Sequence, residues 1–140
     1  MSEQRIFQAR RDQLALATGF VQEFCERQGV ATGDASRLTL IVEELFTNTI
    51  MHGHGGDHDS PVRIELGVGP TQLALRFEDR APPFDPLQYL ADMTPRLDDP
   101  VDERKPGGLG LPLVARLSRH LAYTHVDGFN RLSLTLTREA

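Results

Sequence analysis

The chain has one cysteine and no tryptophan, and no apolar run approaches the roughly 20 residues that cross a bilayer. A lone Cys25 excludes an internal disulfide, and its setting among Phe20, Val21 and Phe24 reads as a buried thiol rather than a nucleophile. The opening MSEQR lacks the basic-then-apolar pattern of a secretion signal, so a cytoplasmic protein with no membrane partner is expected. Clustered positive charge is missing too: no basic run exceeds Arg10-Arg11, and the formal net charge is −5. Nucleic acid is not expected as a partner on that ground, because neutralising phosphates requires a concentrated basic face. Repeats and low-complexity tracts are also lacking, and residues 1–140 are expected to form a single domain.

What is present is an ordinary globular composition, 39% hydrophobic and 25% charged, long enough to bury a core without staples. Residues Arg5 to Arg10 alternate loosely, Ile6 and Gln8 sharing one side, as a short edge strand would. From Asp12 to Gln28, Leu14, Ala17, Phe20, Val21 and Phe24 keep helical spacing, and Gly29 supplies the stop. A connector from Val30 to Gly33 leads to Asp34, the expected N-cap of a second helix lying antiparallel to the first. After a loop from Gly53 to Pro61, Val62 to Val68 and Gln72 to Glu78 alternate as two strands around a Gly69-Pro70 turn. Asp85 to Leu90 suggests a helical turn, and Ala91 to Pro106 is polar, aperiodic and of the length of a functional lid. A helix follows Gly110, and strands His120 to His125 and Arg131 to Thr137 are joined by a hairpin at Asp127-Gly128-Phe129-Asn130.

Three sites stand out from this frame. The second helix buries Leu38, Ile41, Val42, Leu45, Phe46, Ile50 and Met51 at three- and four-residue steps. Beside that face Glu44, Asn48 and His52 recur every four residues, holding a carboxylate, an amide and an imidazole in a row. Asp79 ends the second strand, where the pair Pro82-Pro83 closes off the ladder and a side chain can face a cleft. Gly107-Gly108-Leu109-Gly110-Leu111 precedes a helix with Pro112 in its first turn, offering free N–H groups and a positive dipole end to a phosphate. Each has an ordinary alternative: a polar helix boundary, turn chemistry, and glycines used for packing. His52, His54, Asp57, His58 and Asp59 could ligate a metal, but no recognised spacing or rigid element holds them, and a solvated turn is expected.

Taken together, the series Glu44-Leu-Phe-Thr-Asn48-Thr-Ile-Met-His52-Gly53, Asp79-Arg-Ala81-Pro-Pro-Phe and Gly107-Gly-Leu-Gly110-Leu resembles the N, G1 and G2 boxes of the GHKL ATPases. Within that superfamily the chain is most similar to the anti-sigma factor serine/threonine kinases, from about Leu14 to Thr137. The resemblance implies an α+β two-layer sandwich, the Bergerat ATP-binding fold, with a mixed, mainly antiparallel sheet carrying helices on one face and an ATP lid over about residues 92–106. It implies ATP and Mg²⁺ as cofactors, with Asn48 as the metal ligand through its side-chain oxygen, a neutral donor suited to a hard cation. Glu44 would be the general base toward an incoming hydroxyl. Asp79 would accept from the adenine amino group, with Ala81 in the same box. Gly107, Gly108, Leu109, Gly110 and Leu111 would hold the phosphates, with Arg104 or Lys105 reaching them from the lid.

One departure stands in the G1 box, where Ala81 replaces the family's glycine; a turn that needed positive φ there would be strained. By the same resemblance the partners would be a STAS-domain anti-anti-sigma protein, phosphorylated on Ser or Thr, and a sigma factor, with homodimerisation. The rival expectation is a non-catalytic module that keeps the fold and responds to nucleotide by switching partners. A detached histidine-kinase piece ranks third, since the segment before Leu38 is too short for a phosphoacceptor helix pair.

Overall fold

A computed structural model describes residues 1–93 and 110–139. Five strands and four helices are formed by them: β1 (Ser2–Ala9), α1 (Leu14–Arg27), α2 (Thr32–Asn48), β2 (His58–Val68), β3 (Gln72–Asp79), α3 (Pro86–Met93), α4 (Leu111–Leu117), β4 (Arg119–Val126) and β5 (Phe129–Thr137). The strands make one sheet in the order β1-β2-β3-β5-β4. Among the described residues every pairing is antiparallel, so the α+β sandwich is realised but its sheet, expected to be mixed and mainly antiparallel, has no parallel pair.

Strict alternation sets which face is dry. Ile64 lies opposite Phe77 and Phe77 opposite Leu132, while Leu66, Leu75 and Leu134 form the next row, so the apolar positions of three strands line up on one face. Against them pack Ala17, Phe20, Val21 and Phe24 of α1 and Leu38, Ile41, Val42, Leu45 and Phe46 of α2, all buried. Each such large side chain contributes about 1.5–3 kcal/mol on burial, which makes this layer the principal source of stability. Cys25 is buried within it, and desolvation pushes its thiol pKa up, as suits an inert side chain.

The opposite face is polar and anchored by charge. Glu78 is buried between two cross-strand neighbours, accepting from Arg63 at 3.2 Å and Arg131 at 2.9 Å, which is how a carboxylate is tolerated there. Arg63 and Arg80 in turn lie over the Phe129 ring at 5.0 and 4.4 Å.

Several local expectations are corrected. In β1 it is Phe7 and Ala9 that enter the core, and the Ile6 side is the outer one, leaving Ile6 57% exposed. Helix α2 begins at Thr32 behind Ala31, so Asp34 lies in its first turn instead of capping it. The Asp34 carboxylate is buried, pairs with Arg37, and accepts the Glu139 N–H at 3.1 Å, tying the helix start to the chain beyond β5. Met51 is 45% exposed because α2 widens into a π-turn over Thr49–Gly53, which breaks the regular spacing that predicted its burial. The hairpin between β4 and β5 turns on Asp127-Gly128 alone, and Phe129 and Asn130 belong to β5. Asp85 caps α3 by accepting from the Leu87 and Gln88 N–H groups at 2.9 and 3.3 Å. Of the expected lid only Asp92 and Met93 are described, closing α3; the rest of it, with Arg104, Lys105, Gly107, Gly108 and Leu109, lies outside the described residues.

Candidate functional site

The last turns of α2 carry the polar stripe to the mouth of a cavity. Asn48 ends the regular helix, and among the described residues no donor reaches its buried Oδ1. A buried carbonyl oxygen without a protein partner is costly, and it suits a cation that would supply the interaction. Glu44 sits one turn earlier, and its carboxylate lies against the first residue before α4. Gly110 has φ +68, and a Cβ built there would fall 2.1 Å from Glu44 Oε2 and 2.9 Å from its Cδ. Only glycine permits both that backbone and that approach. The helix stripe and the end of the glycine turn are therefore brought into contact.

Beyond Asn48 the chain follows the π-turn, in which His54 N–H reaches back to the Thr49 carbonyl at 2.9 Å. This extra-wide turn carries His52 to an exposed position at the cavity edge, and points Thr49 inward. The Thr49 hydroxyl lies 2.8 Å from Asp79 Oδ2 and 3.1 Å from the Leu45 carbonyl, so its single proton bridges toward the end of β3.

Asp79 is held from three directions. Its Oδ1 accepts the Ala81 N–H at 3.0 Å and the Asn130 side-chain amide at 2.9 Å, and its Oδ2 faces Thr49. Asn130 is a hub: its Nδ2 also donates to the Ala81 carbonyl at 2.9 Å, and its Oδ1 accepts from Phe84 N–H at 3.1 Å and the Tyr123 hydroxyl at 2.5 Å. Only this amide orientation matches donors to acceptors at every contact. Burial is the main reason the Tyr123 phenol pKa is raised, which keeps its proton available to Asn130.

These groups open onto one cavity of about 280 Å³, lined by Asn48, Thr49, Asp79, Ala81, Leu111 and Asn130 together with apolar side chains of the core. A largely apolar pocket with a few convergent polar atoms is the usual form of a small-molecule site. Four of the residues expected at a site, Asn48, Asp79, Ala81 and Leu111, share this cavity, whereas Glu44 and Gly110 meet beside it. Thr49, Asn130 and Tyr123 were not anticipated. A signal for Asn130 existed: extending the alternation of Leu136, Leu134 and Leu132 by one step puts a polar residue on the dry face.

Ala81 does not have positive φ, so its departure from glycine costs no backbone strain. Its methyl group instead occupies space left by Gly53, where an added Cβ would come within 2.8 Å of Ala81 Cβ. Gly53→Ala is accordingly expected to destabilise the protein by about 1–3 kcal/mol through overpacking. Most of that loss should be recovered in the double variant Gly53→Ala/Ala81→Gly, as measured by urea unfolding; equal losses in both backgrounds would refute the contact.

The loop after the π-turn stacks His54 on His58, with ring centroids 4.3 Å apart and planes inclined by 15°. Desolvation, aided by the neighbouring His58, lowers the His54 pKa against the opposing pull of Asp79. Among the described residues no three His, Cys, Asp or Glu side chains converge as a metal site. No helix among them is long and apolar enough to cross a membrane.

Known proteins match this arrangement. The sequence profile of the histidine kinase-like ATPase domain family covers residues 7–136. The serine/threonine-protein kinase BtrW of Bordetella bronchiseptica is 32% identical over 98 residues, covering 70% of this chain and 67% of that protein. The serine-protein kinase RsbW of Listeria innocua is 22% identical over 131 residues, covering 93% and 82%. Two nucleotide-free forms of the catalytic domain of the histidine kinase ThkA superpose with TM-scores of 0.51 and 0.52 at 11% and 13% identity, each over 97% of this chain. At that identity they speak for the fold alone.

Proposed function

Because the chain belongs to the histidine kinase-like ATPase domain family, we propose that it is an ATP-dependent serine/threonine protein kinase acting as a single-domain, anti-sigma type regulator. The observation that carries this reading is the unpartnered, buried Oδ1 of Asn48, a residue that lines the same cavity as Asp79. The names of the kinases similar to it, BtrW and RsbW, support the protein-kinase class of chemistry.

In this reading Asp79 accepts from the exocyclic amine of adenine, and Asn48 presents its oxygen to Mg²⁺. When bound, the metal neutralises charge on the phosphates and orients them for transfer. Gly107, Gly108, Leu109, Gly110 and Leu111 hold the phosphate end, Gly110 and Leu111 from the start of α4. Glu44 takes the proton from the Ser or Thr hydroxyl of the client. The client is a STAS-domain antagonist, and its phosphorylation state decides whether the kinase holds that antagonist or a sigma factor. Homodimerisation and a cytoplasmic location complete the proposal.

The test is incubation of the purified protein with labelled ATP, Mg²⁺ and a candidate STAS-domain protein, followed by phosphoamino-acid analysis. Label on Ser or Thr supports the kinase. ATP binding with no transfer to any client favours a module that switches partners without chemistry, and failure to bind ATP at millimolar concentration overturns both. Asn48→Ala should reduce transfer by about a hundredfold or more, several kcal/mol of charge stabilisation being lost with the ligand. The same variant should lose most of the Mg²⁺ dependence of nucleotide binding by titration calorimetry, while a variant as Mg²⁺-dependent as the parent would remove Asn48 from the site.

A further inference from the structure

We infer that Asn130 is a specificity-determining residue, which restricts Asp79 to a single free acceptor and thereby excludes guanine from the nucleotide site. This rests on the reading of Asp79 as the base-recognising carboxylate, and deepens it.

A carboxylate offers about four lone-pair positions on two oxygens. With both oxygens open, it presents two parallel acceptors, and the edge of guanine carrying its ring N1–H and exocyclic N2–H₂ matches such a pair with two parallel donors. Adenine instead offers one donor, its exocyclic N6–H₂, beside a ring nitrogen that only accepts. A free aspartate would therefore tolerate guanine well by turning the base.

Here that option is closed by the chain itself. Asp79 Oδ1 already accepts two hydrogen bonds, from Asn130 Nδ2 at 2.9 Å and Ala81 N–H at 3.0 Å, so its capacity is filled. Oδ2 has one neighbour, the Thr49 hydroxyl at 2.8 Å, and keeps one position open. One open acceptor fits one donor. A guanine turned to present both donors would have to displace the Asn130 amide. That amide is itself held by the Phe84 N–H, the Tyr123 hydroxyl and the Ala81 carbonyl, and Asn130 is 9% exposed. Guanine in adenine's orientation would set its O6 against Oδ2. Both poses leave a buried polar group unpaired, the situation in which discrimination is large.

The experiment is competition of ATP and GTP against a fluorescent adenine nucleotide on the full chain. The parent should prefer ATP strongly. In Asn130→Ala the ATP-to-GTP affinity ratio should fall by about tenfold or more, the effect of one hydrogen-bonding group. GTP is expected to gain absolutely, whereas a loosened pocket would weaken both nucleotides in parallel. Tyr123→Phe removes a donor to Asn130 but leaves Nδ2 in place, and should keep the parental ratio. Should Asn130→Ala fail to fold, Asn130→Ser, whose shorter hydroxyl leaves Asp79 Oδ1 with the Ala81 N–H and water, should lower the ratio in the same direction.

An unchanged ratio in the Asn130 variants, or a parent that binds ATP and GTP alike, overturns this inference and leaves the kinase reading standing. A parent that binds neither nucleotide overturns both.

Discussion

Replacing Glu44 with Gln is expected to lower phosphotransfer about 10²–10⁴-fold, the usual contribution of a positioned general base, while ATP affinity stays within a few-fold of the parent. Gln preserves length and shape, so the contact with Gly110 survives and only the proton acceptor is lost. Glu44 is suited to this work because it stands one helical turn before Asn48 on the same rigid element, and among the described residues nothing donates to its carboxylate. Single-turnover transfer to the client, with nucleotide binding measured in parallel, separates the two effects. Transfer at the parental rate would remove Glu44 from the chemistry, and loss of ATP binding would make it a structural residue.

Gly110→Ala should be nearly as damaging by a different route. At φ +68 an L side chain costs about 1–2 kcal/mol of backbone strain. The added methyl would also meet Glu44 Oε2 at 2.1 Å, a distance no pair of such atoms can hold, so the carboxylate must move. Displacement of a reacting group by about 1 Å can cost about 10² in rate, and a loss of that order is expected in transfer. Stability should fall by about 1–3 kcal/mol, measured by urea unfolding. Most of the steric part can be isolated: in a Glu44→Ala background the same substitution keeps the backbone strain and a 3.3 Å approach to the Cβ of residue 44, and should cost less. Additive losses would mean that Gly110 and Glu44 do not touch.

Much of this architecture was legible because burial in it is periodic. The two long helices, the β2–β3 hairpin and the paired leucines of β5 follow from spacing alone, since one dry face leaves little freedom of register. Errors arose where one local rule was extended past its cause. The four-residue stack of Glu44, Asn48 and His52 assumes a regular helix, whereas the turn over Thr49–Gly53 is wider than an α-turn, and His52 stands exposed at the edge of the cavity that Asn48 lines. Met51 is misplaced for the same reason. Asp34 has the residue type of a cap, but it pairs with Arg37 one turn on in the same helix and accepts the Glu139 N–H from the chain beyond β5. Asn130 falls in Asp127-Gly128-Phe129-Asn130, a stretch that reads as a hairpin turn, and its role depends on β3 lying next to β5, which no local pattern states.

Ala81 illustrates the reverse case. Its departure from glycine is visible in the sequence, yet whether its methyl group finds room depends on the absence of a side chain at Gly53, far away in sequence.

The triple fastening of Asp79 also bears on the tempo of the pocket. Because Asn130 of β5, the Ala81 N–H just after β3 and the Thr49 hydroxyl just after α2 already hold that oxygen pair when the chain folds, a purine bound as proposed would meet a fixed target, with no local ordering to complete during the encounter. Exchange of one base for another should then be set by how quickly the visitor leaves, with this wall of the cavity standing still between occupants.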